Sequence, residues 1–134
     1  MNDETREWVE KAEGDFNGAL VLLRQKHIGT ADLICFACQQ SAEKYLKAFL
    51  VERKVKFPKT HDLEKDILPL CRDVDEEFKS LLPFLQTLDP YAVEFRYPGE
   101  NATFENAKDT FNAAQAVRRF VRTKLNLESQ QELI

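Results

Sequence analysis

Glycine and proline are scarce in this 134-residue chain, at four and five residues, and histidine is scarcer still at two. So few turn-formers disfavour an all-β fold and suit long helices. The two histidines lie in separate segments and no second Cys-x-x-Cys accompanies Cys35-x-x-Cys38, so no zinc-type spacing is present and no metal is expected. No apolar run reaches bilayer-spanning length, and the opening Met1-Asn2-Asp3-Glu4 is acidic rather than signal-like, so a cytoplasmic location is expected. A glycine-rich phosphate loop, a serine nucleophile elbow and a paired-carboxylate spacing are all missing. Internal repeats and low-complexity tracts are missing too. The net charge of -4 argues against a surface that coats nucleic acid and leaves room only for a local basic patch.

What is there is an ordinary globule. Apolar residues make up 43% and charged residues 31%, enough for one domain with its own core. Cys35, Cys38 and Cys71 sit in apolar or helical text, where cysteine acts as a small hydrophobe.

Periodicity marks the helices. The first is expected from about Thr5 to Gln25, with Trp8, Ala12, Ala19, Leu22 and Leu23 on one stripe and Phe16 and Leu20 widening it. Asp15 interrupts that stripe, as an edge residue or as a buried acid that needs a partner. Gly29 breaks the chain and Thr30 is the expected N-cap of the next helix. That helix, about Ala31 to Arg53, is apolar over more than half its circumference and is expected at the centre of the fold. The linker from Lys54 to Lys59 ends it, since Pro58 pushes Phe57 out of helical geometry, and Thr60 or Asp62 is expected to cap a third segment, Leu63 to Cys71. A fourth segment carries Phe78, Leu81, Leu82, Leu85 and Leu88, with Pro69 and Pro83 as kinks or restarts. Tyr91 to Ala102 reads as an aromatic loop rich in binding groups, among them Glu94, Arg96 and Tyr97. Thr103 is expected to cap the last long helix, about Phe104 to Leu125, whose outer face carries Arg118, Arg119, Arg122 and Lys124. The expected fold is all-α: an antiparallel up-and-down four-helix bundle with an additional short helix over residues 1–127, then a flexible polar tail at 128–134.

Four motifs, in this order, resemble the HEPN family: Trp8-x-x-x-Ala12-x-x-Asp15; the run from Cys35-Phe36-Ala37-Cys38-Gln39-Gln40 to Ala48; Thr60-His61-Asp62-Leu63; and Asp89-Pro90-Tyr91 through Arg96-Tyr97-Pro98. The resemblance spans Trp8 to about Leu127. It implies a helical bundle that forms a homodimer and is often encoded beside a small nucleotidyltransferase. Family RNases carry an Arg and a His a few residues apart near the start of the last helix. Here no His follows Arg96, so the resemblance implies a non-catalytic member. Such a member would bind a nucleotide, a minimal nucleotidyltransferase, or both, as one half of a toxin–antitoxin-type pair, with no other cofactor.

Residue chemistry supplies the candidates. Gln40, Lys44 and Lys47 share one face of the central helix and can offer an amide and two ammoniums to a phosphate; the plainer reading is a solvated face, with Glu43 and Lys47 paired at its surface. Arg96 offers a planar fork for phosphate or carboxylate, and Tyr97 an aromatic face for a base; alternatively Arg96 pairs with Asp15 or Glu43 and fastens the loop to the bundle. His61 and Arg96 together would be the acid–base and electrostatic groups of an RNase with a rearranged site, whereas His61 alone reads as part of the cap of the third helix. A structural adaptor with no small ligand is the third alternative. A patch of Phe78, Leu82 and Leu85 is the expected dimer surface.

Overall fold

In the computed structural model, residues 1–27, 29–93 and 97–127 are described. Helix α1 (Asp3–Gln25) starts where the Asn2 side chain accepts the Thr5 N–H, and buries Val9, Ala12, Phe16, Ala19 and Leu20 at helical spacing. Trp8, Leu22 and Leu23 only flank this stripe. Lys26 and Gly29 then take positive φ values of 52° and 97°, which turn the chain back on itself. Helix α2 (Ala31–Glu52) follows, without the expected cap: the Thr30 hydroxyl donates backwards to the His27 carbonyl instead. The backbone of Thr30 is already helical at ψ -1°, so its side chain cannot face the first-turn amides.

Helix α2 is the centre of the fold. Ile34, Cys35, Cys38, Ala42, Tyr45, Leu46, Ala48, Phe49 and Leu50 are buried, which takes in nearly its whole circumference. Helix α1 packs antiparallel to it, with Ser41 donating to the Ala12 carbonyl and Asn2 donating to Glu52 at the far end. Helix α5 (Phe104–Lys124) opens with a reciprocal capping box between Thr103 and Asn106. It runs parallel to α2, since Asp32 meets Ala102, Cys35 meets Thr110 and Tyr45 meets Arg122.

Between α2 and α5 the chain supplies the fourth position of the bundle in short pieces. A π-helical turn (Leu63–Ile67) runs into α3 (Leu68–Val74), a 3-10 turn (Glu76–Leu81) into α4 (Leu82–Leu88), and a last 3-10 turn covers Asp89–Tyr91. Prolines at the first turns of α3 and α4 lack the N–H that a continuous helix would need, so each begins a new piece. The pieces double back: Lys124 of α5 bonds Asp75 and Glu77 at the bend, and the Asp89 carboxylate returns to accept the Leu63 and Glu64 amides.

Burial corrects two expectations. Phe78 and Leu85 are fully buried, so they form no dimer patch; only Leu82 of that trio is exposed. The Phe78 ring centre lies 4.3 Å from that of Phe49 and 4.9 Å from that of Phe120, and so joins the pieces to α2 and α5. Arg118 and Arg122 are buried too, rather than on an outer face. The expected tail, residues 128–134, lies outside the described residues.

Phe78→Ala should destabilise the fold by roughly 3–5 kcal/mol, as removal of a fully packed aromatic does; urea unfolding followed by circular dichroism measures it, and a loss below ~1 kcal/mol would contradict the packing described.

Candidate functional site

Two polar clusters lie on opposite flanks of α2. The first is built around Glu43, whose side chain is almost fully buried. Its carboxylate accepts Lys47 Nζ at 2.9 Å, Gln39 Nε2 at 3.1 Å and His61 Nδ1 at 2.9 Å. Lys47 is buried as well; its ammonium also donates to the Thr60 carbonyl at 3.1 Å and lies 5.5 Å from the Phe57 ring centre and 5.9 Å from that of Trp8. Glu43 and Lys47 are therefore a desolvated pair and not the surface pair their spacing suggested. Gln39 donates a second bond to the His61 carbonyl at 3.3 Å, and Gln40 donates to Gln39 at 2.7 Å. The loop carrying Thr60 and His61 is thus fastened to α2 by side chains of α2.

His61 does not cap the third segment. Asp62 does, accepting the Lys65 amide at 3.0 Å, while Thr60 accepts the Asp62 amide and donates to Asp66. The His61 ring lies against Glu43 with its side chain 61% exposed. It borders an open groove of about 720 Å³ lined by Thr60, His61, Asp62, Glu64, Lys65, Asp89 and Ala92. Burial pushes the Asp89 carboxyl above the usual range against the two amides it accepts, and the nearby Asp62 and Glu64 charges add a smaller push in the same direction.

The second cluster has no counterpart among the sequence expectations. Glu13 of α1 receives a two-pronged bond from Arg118 of α5, at 2.6 and 2.8 Å, and a hydrogen bond from the Tyr45 hydroxyl. Arg122 donates to Tyr45 at 3.3 Å and lies 3.8 Å from Glu13. Burial alone would push Glu13 up; the Arg118 and Tyr45 hydrogen bonds and the two guanidinium charges outweigh it and hold the carboxyl below its usual range. Burial and the Glu13 carboxylate together push Tyr45 well above a normal phenol. The sequence carries a faint signal for this cluster: two arginines spaced i,i+4 on one helix, and a tyrosine inside the most apolar helix.

The structure disposes of the predicted residues unevenly. Gln40 and Lys44 are half-buried, and the Lys44 ammonium sits 2.6 Å from Asp15, which answers the question of that acid's partner. Asp15 and Glu43 both have partners within α1, α2 and the Thr60–His61 loop. Tyr97 is 64% exposed. Arg96 and Glu94 lie outside the described residues, so the His61–Arg96 pair is not placed. Cys35, Cys38 and Cys71 are buried and joined by no disulfide, with burial pushing Cys71 up to about 12. Among the described residues, no three His, Cys, Asp or Glu side chains gather as a metal site, and no helix is long and apolar enough to cross a membrane.

The HEPN domain model matches residues 5–124. The chain belongs to the HEPN domain family. The HEPN bundle is similar to the crystal structure of TT1696 from Thermus thermophilus, at 28% identity over 92% of this chain and 99% of that one, with a TM-score of 0.73. It shares its fold with ST0689, described as an archaeal HEPN homologue, at 23% identity over 90% and 97% of the two chains and a TM-score of 0.70. No curated protein matches. The family match extends over the α1–α2–α5 frame and the segmented stretch together, so both polar clusters lie within the matched region.

Glu43→Ala would strand the Lys47 charge and should cost roughly 3–5 kcal/mol in a chemical melt, well above the cost of an exposed-pair deletion. Because the Glu13 carboxyl is held low in the fold, its stabilisation is present above the ordinary carboxylate range and lost as pH falls through its lowered folded value. The stability gap between wild type and Glu13→Gln should therefore shrink over that acid interval; a gap that stays constant with pH would contradict the pairing.

Proposed function

We propose that this HEPN protein is a non-catalytic binding module, acting as a homodimer whose partner is a minimal nucleotidyltransferase in a toxin–antitoxin-type pair. The observation that carries the reading is the state of the central-helix cations. Lys44 is neutralised by Asp15 and Lys47 by Glu43, with Lys47 also buried. A nucleotide phosphate at Gln40, Lys44 and Lys47 would have to displace carboxylates already seated at 2.6 and 2.9 Å. Docking of a protein surface needs no such exchange, and exposed Leu33 and Tyr97 offer apolar contact for it. The cytoplasm is the compartment that fits such a pair.

The sequence supports the non-catalytic half of the proposal, since no histidine follows Arg96. One observation favours the RNase alternative: an imidazole backed by a carboxylate is an arrangement suited to a general base. A labelled RNA incubated with wild type and with Arg96→Ala separates the two. The binding-module reading expects the RNA to stay intact in both; cleavage that disappears in Arg96→Ala would replace it with the RNase.

Where the adjacent reading frame encodes a minimal nucleotidyltransferase, co-expression with it should yield a co-purifying complex, while calorimetric titration with ATP, GTP or UTP should give no heat at the Gln40–Lys47 face. Nucleotide heat that vanishes in Lys44→Ala would move the reading from protein to nucleotide.

A further inference from the structure

We draw no further inference here: the strongest candidate, the outward face of α1 where Gly14 and Gly18 meet open space beside the exposed Val21, is a stripe of small residues, and nothing in the structure shows what covers it.

Discussion

A carboxylate with almost no water around it governs the arrangement of this bundle. Glu43 points into the space between α2 and the linker that leaves it, where an isolated charge would be prohibitively costly. The fold answers with three donors of different origin: Lys47 one turn along, Gln39 one turn back, and His61 from eighteen positions downstream. The first two are fixed by helical spacing. The third closes a loop, and with it come the position of Asp62, the start of the π-helical turn and the groove beyond. Ion pairs of this kind contribute little net stability compared with apolar packing, but they specify geometry, because alternative placements of the loop strand a charge.

The Glu13 cluster performs a related task on the opposite flank. There the demand is for register between helices that meet late in the sequence, since Glu13 and Arg118 are 105 residues apart. Phe16 lies stacked at 5.0 Å on Phe111 and beneath the Arg118 guanidinium, so the two-pronged bond and the aromatic pair fix the same crossing of α1 over α5. The helix frame is thus fastened at two acids, buried Glu43 and half-buried Glu13, whose partners lie near and far in sequence respectively. Neither acid belongs to a row of apolar residues, and neither is free to serve a ligand.

Much of the frame is legible in the sequence. The apolar period of α2, the Gly29 break, the Thr103 cap and the two proline restarts all correspond to observed features, because each depends on local geometry alone. The candidate site is less legible. Lys44 and Lys47 share a face as expected, yet helical spacing cannot reveal that Asp15 and Thr60 come from other elements to occupy them. Arg118 and Arg122 read as surface residues because their partner, the half-buried Glu13, is an unremarkable acid on an exposed-looking stretch of α1. Phe78 and Leu85 mislead for the converse reason: apolar residues in a broken segment give no periodicity from which to tell the inner face from the outer.

The parallel course of α2 and α5 has a consequence for how the chain is made. Helix α5 covers one side of α2, and the segmented stretch covers another; both emerge from the ribosome after α2 is complete. Until then the α1–α2 hairpin holds Cys38, Tyr45 and Phe49 open to solvent, on the most apolar helix of the protein. The joining contacts are distant in sequence, so their closure is slow relative to helix formation. The nascent hairpin is therefore the stage at which this protein is most prone to self-association, and its hazard ends only when the last helix docks.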